Sequence, residues 1–457
     1  MMSKKKHVII YIASLTILMD MMDATILNSA LPTLSVIFQQ PILEIKNTLI
    51  FYMASLSIFL PISGWLKEKF GLKKTLFTAI LIFILASIGC GLSPNLSVLN
   101  FFRFLQGMGA AASLPLARLL ILMTYSREEY FHKMNLVILY TTLGTMLGPF
   151  IGGIIVQFYS WEWIFWINIP LGLLNMYLLF KIPEYKNDVS RTIPSFDFTG
   201  FAMLSAGIVL FLISITAFSE PKSNLIINSL ILFSSLILAW LYYNHCKKFK
   251  ESFINLEIFT YATFKIGFYG GIFSRLCLGG IPFLIPLMMQ MLLQKEPWLS
   301  GILMLPIALG LILAKLATPY ISKHFSLNQI LIINTLAMCV FFLILSQLNF
   351  LKFNEQHFLI FMAFGAFQSL QYASLNAIAY QRIPSKLLSY ATSVISIQQQ
   401  LGISLGVAIC SILLKIFSGP EGFNLKTFQY NFLILGFISI ILLCFIIYYL
   451  ISARDEA

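Results

Sequence analysis

The stretch ILMDMMDATILNSALP, residues 17–32, places two carboxylates, Asp20 and Asp23, inside an otherwise apolar run. Residues three apart in a helix lie on the same face. An ionised carboxylate costs about 2.5 kcal/mol or more at the centre of a bilayer. Charged residues that persist there face the interior of a helix bundle or a water-filled cavity. These two acids are therefore predicted to be functional.

The rest of the chain has the composition of a membrane protein. Of its 457 residues, 59% are hydrophobic and only 11% are charged, whereas a soluble domain has about 25% charged residues. Apolar stretches of about 20 residues recur along the sequence, each long enough to cross a bilayer as a helix. The sequence predicts an all-α polytopic membrane protein. Its first apolar run is too long for a signal peptide and is interpreted as a permanent span.

Clusters of charged, Pro and Gly residues divide the chain into fourteen predicted helices. They cover residues 8–32, 47–66, 75–93, 97–124, 133–158, 163–181, 199–218, 224–245, 265–293, 300–321, 327–348, 356–381, 389–416 and 430–452. An even number of spans places both termini on the same side of the membrane.

The basic residues indicate which side that is. Of the 30 Lys and Arg residues, 20 fall in one set of loops, five in the opposite set and five within spans. Positively charged loops stay on the cytoplasmic side, so both termini are predicted to be cytoplasmic. The net charge of +12 is explained by this topology, and no nucleic-acid partner is expected.

Two polar segments, about 182–198 and 246–264, flank a pair of predicted helices that contain no buried charge. This pattern predicts three parts: an N-terminal six-helix bundle (1–198), an inserted transmembrane hairpin (199–245) and a C-terminal six-helix bundle (246–457).

The segment GWLKEKFGLKKTL, residues 64–76, is predicted to form a tight cytoplasmic turn. Gly64 and Gly71 are expected to permit close approach or unusual dihedral angles. Glu68 and Lys69 are the charged residues at the centre of this motif.

A second glycine-rich motif, GTMLGPFIGG, covers residues 144–153. Its glycines leave one helix face without side chains, so that a neighbouring helix can pack very closely. Pro149 permits a kink. The glycines concerned are Gly144, Gly148, Gly152 and Gly153.

In this order, the motifs resemble the major facilitator superfamily, and most closely its fourteen-helix drug:proton antiporter branch. FFRFLQGMGAA (101–111) resembles the fourth-helix motif, and GTMLGPFIGG matches the fifth-helix motif associated with antiporters. Glu68 and Lys69 stand where that family usually has Asp and Arg. The chain looks closest to the multidrug resistance protein D group. The resemblance implies two six-helix bundles with the hairpin between them.

Further motifs support the same resemblance. They are SWEWIFWINIPLG (160–172), SFDFTG (195–200), PFLIPLMMQ (282–290) and QQQLGISLGVAI (398–409).

Asp23 is the carboxylate that the family motif supplies, and the topology places Arg103 of the fourth span near its level. Burial of a carboxyl group favours its neutral form, and a nearby arginine favours its charged form. A group balanced between the two can load and release a proton. Asp20, Asp23 and Arg103 are therefore predicted to couple transport to protons, with the two carboxyls titrating together. For Asp20, local hydrogen bonding or a wet cavity is the alternative.

The predicted substrate cavity is at least as positive as it is negative. No Asp or Glu lies deep in the helices after residue 199, whereas Arg118 and Arg275 are both expected to be buried. This favours neutral, zwitterionic or anionic substrates. The alternative is that each arginine neutralises a helix end or bonds backbone carbonyls. The predicted cavity residues are Arg118, Arg275, Asn28, Gln290 and Gln106.

Together with the buried charges, the resemblance implies a proton-coupled efflux antiporter in the inner (cytoplasmic) membrane that exports small amphipathic compounds or drugs by alternating access. The alternative is an exporter of an anionic metabolite or metal chelate, such as a carboxylate siderophore. A proton-coupled nutrient importer is less favoured because of the antiporter motif. An enzyme is not expected, because the five His residues are dispersed.

The predicted partners are a small-molecule substrate, protons and the lipid bilayer. Neither a cofactor nor a metal is predicted, since the six cysteines form no CxxC pair. The sequence contains no feature from which a periplasmic adaptor or an outer-membrane channel can be inferred.

Overall fold

The computed structural model describes residues 2–125, 127–183, 196–220, 224–249, 252–348, 355–384, 387–418 and 422–455. Throughout these ranges the regular structure is helical, which confirms the all-α prediction. Most of the predicted polar segment 182–198 lies outside the described residues.

Within the described residues, ten α-helices precede the predicted hairpin. They are α1 (Met2–Ile26), α2 (Leu31–Phe38), α3 (Ile42–Ile45), α4 (Asn47–Phe59), α5 (Ser63–Phe70), α6 (Leu72–Gly91), α7 (Leu96–Thr124), α8 (Arg127–Phe158), α9 (Trp163–Trp166) and α10 (Asn168–Phe180). Short 3-10 turns at Leu27–Ser29 and Leu60–Ile62 interrupt the first two spans.

Ten further α-helices form the rest of the described chain. They are α11 (Phe198–Ala217), α12 (Leu225–Lys248), α13 (Ala262–Gly279), α14 (Ile281–Met291), α15 (Pro297–Ile302), α16 (Leu305–His324), α17 (Leu327–Gln347), α18 (Glu355–Tyr380), α19 (Leu388–Phe417) and α20 (Leu425–Asp455). A 3-10 turn, Leu256–Thr260, precedes α13.

Several predicted spans consist of two consecutive helices. The breaks lie beside prolines at the first turns of α2, α14 and α16. Proline has no backbone N–H to donate and is tolerated at the first turn of a helix. A continuous apolar run can therefore span the bilayer and still change direction within it.

Thirteen helical segments in the described ranges are long and apolar enough to cross a membrane. Leu143–Phe158 is also apolar but shorter. The chain is therefore a multi-pass membrane protein. The count of fourteen spans and the cytoplasmic termini stay predictions.

The chain divides into two compact units. The first contains Met1–Phe198 together with Glu296–Ile302, and the second contains Thr199–Lys295 and Leu303–Ala457. The predicted hairpin, α11 and α12, falls in the second unit. Its separation from the C-terminal bundle stays a prediction.

In the first unit, α8 packs directly onto the backbone of α1. A Cβ atom at Gly144 would lie 2.7 Å from the carbonyl oxygen of Leu18, and one at Gly152 would lie 2.2 Å from that of Ile26. Real Cβ atoms do not approach other atoms so closely, so side chains are excluded from this face. Gly148 lies between these two positions and is equally close to α1.

The neighbouring face of α8 packs against α15, which belongs to the same unit. A Cβ atom at Gly153 would lie 2.5 Å from the carbonyl oxygen of Pro297, and one at Gly301 would lie 2.4 Å from that of Pro149. α8 continues as a helix through Pro149. The glycine motif therefore brings α8 into backbone contact with two helices at once.

The turn between α5 and α6 confirms one glycine prediction and contradicts the other. Gly71 has a φ of 87°, in the left-handed region that favours glycine. Gly64 is helical, and apart from its chain neighbours and its own helix backbone no described atom lies within 4 Å of the place where its Cβ would be. The expectation of close approach or unusual geometry was therefore wrong for Gly64. Glu68 and Lys69 are both exposed at the end of α5, and the ammonium group of Lys69 lies 4.6 Å from the Trp65 ring centroid.

Candidate functional site

Asp23 of α1 and Arg103 of α7 form an ion pair inside the first unit. The Nη1 atom of Arg103 lies 2.6 Å from Oδ2 of Asp23, and both side chains are fully buried. A charge-assisted bond of this length is stronger than a hydrogen bond between neutral groups. The sequence predicted the two residues at similar depth, and the structure brings them together.

Two amide side chains complete the surroundings of the Asp23 carboxylate. Nε2 of Gln106 in α7 and Nδ2 of Asn168 in α10 each donate to Oδ1 of Asp23, both at 2.9 Å. A buried charge is costly unless it is both paired and hydrogen-bonded. Three donors from α7 and α10, which both pack against α1, meet this requirement.

Arg103 is fixed by contacts beyond the ion pair. Its Nε atom donates to the carbonyl oxygen of Thr48, 3.3 Å away, and its guanidinium lies 4.2 Å from the ring centroid of Tyr52. Its Nη1 atom also donates to Oε1 of Gln106 at 2.6 Å. The Nη2 atom is buried and has no partner among the described residues. The guanidinium therefore retains a free donor within the site.

Asp20, one turn before Asp23, has a different environment. Oγ of Ser113 in α7 donates to Oδ2 of Asp20 at 2.7 Å, while Oδ1 is buried without a hydrogen-bond partner in the described ranges. No cation in those ranges forms an ion pair with Asp20. The two carboxylates therefore differ in their means of stabilisation: Asp23 has an arginine and two amides, whereas Asp20 has one hydroxyl.

A third polar contact continues this series along α1. Nδ2 of Asn175 in α10 donates to Oγ1 of Thr16 at 2.7 Å, and both side chains are fully buried. Thr16 and Asp23 are seven residues apart, which corresponds to about 10 Å along a helix. Polar contacts thus follow one face of α1 from Thr16 through Asp20 to Asp23.

The other predicted cavity residues are dispersed over both units. Asn28 is buried in the Leu27–Ser29 turn of the first unit. Gln290 in α14 and Arg275 in α13 are buried in the second unit, with 8% and 4% of their surfaces exposed. Arg118 is exposed, so the expectation that it would be buried was wrong. The buried face of α7 contains Ala117 and Leu120, and Arg118 points to a different side of the helix.

Several residues of the site were not singled out from the sequence. Asn168 is the clearest example, since it lies within the quoted motif SWEWIFWINIPLG. A polar amide in an apolar span was the available signal, because such a group needs a partner in the bilayer. Ser113 likewise follows three alanines in α7. One more such residue is Ser87, whose Oγ accepts a hydrogen bond from Nε2 of Gln106 at 2.8 Å. The residues missed are Thr48, Tyr52, Ser87, Ser113, Asn168 and Asn175.

Comparisons with known proteins identify the family to which the chain belongs. The family model described as Major Facilitator Superfamily matches residues 13–406. The chain is 30% identical over 417 residues to the putative multidrug resistance protein MdtD of Pectobacterium atrosepticum, covering 90% of this chain and 88% of that relative. It is 31% identical over 437 residues to the protein of the same name from Citrobacter koseri, covering 94% of this chain and 92% of that relative.

Solved structures of low sequence identity show the same fold. The partially occluded inward-open xylose transporter XylE of E. coli superposes with a TM-score of 0.64 at 14% identity, covering 96% of this chain and 98% of that chain. The POT family transporter PepTSo superposes with a TM-score of 0.69 at 12% identity, covering 99% of each chain. The family model matches most of the chain, a relative aligns with 90% of it, and the fold agrees. The chain therefore belongs to the major facilitator superfamily, as a membrane transporter of the MdtD-like group and not an enzyme.

Proposed function

We propose that this protein is a proton-coupled efflux antiporter that exports small amphipathic compounds across the inner (cytoplasmic) membrane by alternating access. The observation on which the proposal rests is the fully buried Asp23–Arg103 pair with its two amide donors. The names of the relatives, putative multidrug resistance proteins, support export of drug-like compounds.

Asp23 is the proposed proton carrier. When the carboxylate is charged, Arg103 neutralises it. Gln106 connects the two residues, since it accepts a hydrogen bond from Arg103 and donates one to Asp23. When a proton neutralises Asp23, the ion pair is lost and Arg103 becomes a buried cation without a counter-ion. Such a state is unfavourable by several kcal/mol, on the order of the 3–5 kcal/mol measured for breaking buried pairs. Protonation thereby supplies the free energy that favours the alternative conformation.

Asp20 is the proposed second carrier, and Ser113 lets it exist in two states. The charged carboxylate accepts a hydrogen bond from the Ser113 hydroxyl. A protonated Asp20 can instead donate to Oγ of Ser113, whose own hydrogen then turns to the carbonyl oxygen of Ala110, 3.2 Å away. Rotation of a single hydroxyl group thus provides partners for either form. Thr16 and Asn175 extend the proposed proton path from Asp20 toward the N-terminal end of α1.

The glycine motifs are proposed to govern the conformational change. α8 contacts α1, which holds both acids, and also α15, through glycine faces without side chains. A movement of α1 on protonation is therefore transmitted to α8 without rearrangement of intervening side chains. The turn after α5 is proposed to be stabilised during the same transport cycle by Gly71, Glu68 and Lys69.

The test is substrate transport in everted membrane vesicles with and without an imposed proton gradient. Accumulation driven by the gradient, with protons moving opposite to substrate, is the expected result. Accumulation in the opposite orientation would identify an importer, and transport unaffected by the gradient would contradict proton coupling.

A second candidate is export of an anionic metabolite or metal chelate. It is favoured by Arg275, which is buried in the second unit while no described Asp or Glu forms an ion pair with it. Competition between charged and neutral compounds in the same vesicle assay separates the two candidates.

A further inference from the structure

Arg275 lies where three helices of the second unit meet: α13, which contains it, α18 and α19. Its guanidinium carbon lies 4.5 Å from the ring centroid of Tyr372 in α18. Its side chain also packs against α19, since a Cβ at Gly402 would lie 2.8 Å from Cβ of Arg275. The guanidinium is therefore positioned by packing, and 4% of the residue surface remains exposed.

The hydrogen-bonding capacity of Arg275 is almost unused. In the part of the chain that the structure describes, its one hydrogen bond joins Nη1 to the carbonyl oxygen of Gly271, at a long 3.4 Å. A guanidinium has five N–H donors. A buried cation with neither a carboxylate nor a full set of acceptors is a costly arrangement unless a ligand completes it.

A second, independent observation is the side chain of Gln398 in α19. It is only 2% exposed, yet neither Nε2 nor Oε1 has a hydrogen-bond partner among the described residues. Buried amides are normally hydrogen-bonded. The unsatisfied amide and the unsatisfied guanidinium therefore occur together in the interior of one unit.

Both groups converge beside Gly271. The position of an added Cβ there would be 2.8 Å from Nε2 of Gln398 and 3.1 Å from Nη1 of Arg275. Because Gly271 has no side chain, the amide of Gln398 in α19 and the guanidinium of Arg275 in α13 both pack closely against its backbone and lie near each other. The carboxylate group, flat and with two oxygens, suits a guanidinium fork together with an amide N–H.

We propose that Arg275 and Gln398 form a binding site for the carboxylate of the transported substrate, with Tyr372 holding the guanidinium in place. The proposal rests on the transport function given above and specifies its substrate class: amphipathic compounds that have a carboxylate. The site lies in the second unit, whereas the proposed proton carriers lie in the first.

The test uses the purified full-length protein in lipid nanodiscs and measures binding, so that it does not depend on proton coupling. The probes are naphthalene-2-carboxylate and its neutral counterpart naphthalene-2-carboxamide. The wild type should bind the carboxylate more tightly. Arg275→Gln should weaken carboxylate binding more than tenfold, about 1.4 kcal/mol, and should leave amide binding nearly unchanged.

A second variant keeps the test valid if Arg275→Gln folds poorly. Gln398→Glu has the same shape as the wild type and places a carboxylate beside Arg275. This internal ion pair should occupy the site and cause the same selective loss. Lys315→Gln removes one positive charge from an exposed position in α16 of the same unit, and it should not alter binding of either probe.

Three results would overturn the proposal. They are a wild type that does not prefer the carboxylate, variants that bind it as tightly as the wild type, and equal loss of both probes. Displacement of the carboxylate by chloride at equal concentration would show a site for small inorganic anions instead. Asp23→Asn should retain carboxylate binding and lose transport, so failure of the transport function is distinguishable from failure of this site.

Discussion

Ser113 donates a hydrogen bond from α7 to the carboxylate of Asp20 in α1, with 2.7 Å between Oγ and Oδ2. This contact makes Asp20 part of the same helix interface that contains the Asp23–Arg103 pair. It also distinguishes the two acids, since a hydroxyl can reverse its hydrogen bond and an arginine cannot. We therefore expect different consequences when each acid is altered.

Asp23→Asn should abolish gradient-driven export and leave membrane insertion intact. Asparagine keeps the shape of the side chain but removes the group that binds the proton. Uphill transport in vesicles measures the first effect, and the amount of protein in the membrane measures the second. Uphill transport at the wild-type rate would exclude Asp23 as the carrier.

Ser113→Ala should lower the transport rate about tenfold, because leaving a buried charged group without its hydrogen bond costs about 1–3 kcal/mol or more. Ser113→Thr retains the hydroxyl and should preserve most of the rate. Initial rates of export for the three proteins at equal expression provide the comparison. Equal impairment of Ala and Thr variants would indicate a packing role for this position.

The helices themselves were largely predictable from the sequence. The predicted run 327–348 corresponds to Leu327–Gln347, and 97–124 corresponds to Leu96–Thr124. Apolar runs of this length have few alternatives in a membrane. The breaks within spans, such as Leu27–Ser29, were missed because the apolar pattern continues through them.

The candidate site was predictable only in its charged members. Asp23 and Arg103 were identified because a charge in an apolar span is conspicuous. Asn168 and Ser113 were missed because small polar residues are common in membrane helices, where they also serve packing. Which of them faces a carboxylate depends on the rotation of α7 and α10, and the sequence pattern does not specify that rotation. The expectation that Arg118 is buried was wrong for the same reason.

Asn168→Ala should impair coupling more than the matched change Asn175→Ala. Both residues are buried in α10, two turns apart, but Asn168 donates to Asp23 and Asn175 to the neutral Thr16. Hydrogen bonds to charged groups contribute about 1.5–3 kcal/mol and those between neutral groups about 1 kcal/mol. The ratio of protons to substrate moved in vesicles should therefore change only for Asn168→Ala. A similar change for both variants would contradict a specific role of Asn168.

Gly152→Ala should destabilise the protein by about 1–3 kcal/mol, as overpacking typically does. The new methyl group would lie 2.2 Å from the backbone oxygen of Ile26, which cannot move aside without shifting α1. Gly207→Ala in α11 is the control, since its nearest contact would be an ordinary 3.6 Å. Thermal unfolding in detergent should show a lower midpoint for Gly152→Ala alone. Equal midpoints would show that α1 and α8 have room to separate.

Cysteines introduced into the hairpin should not be protected from maleimide labelling by substrate. In the most apolar 18-residue segment of α12, only 17% of the residues are buried inside the protein. The corresponding share is 78% in the span formed by α13 and α14. The hairpin is also held at one end, where Nζ of Lys415 donates to the carbonyl oxygen of Phe218 at 3.1 Å. It is therefore expected to face lipid and contribute no substrate contact.

Serine-to-cysteine changes suit this measurement because the two side chains are nearly the same size. Ser229 and Ser234 are exposed on α12, and labelling of Ser229→Cys and Ser234→Cys should proceed at the same rate with and without substrate. Protection at the α12 positions would instead show that the hairpin lines the transport path.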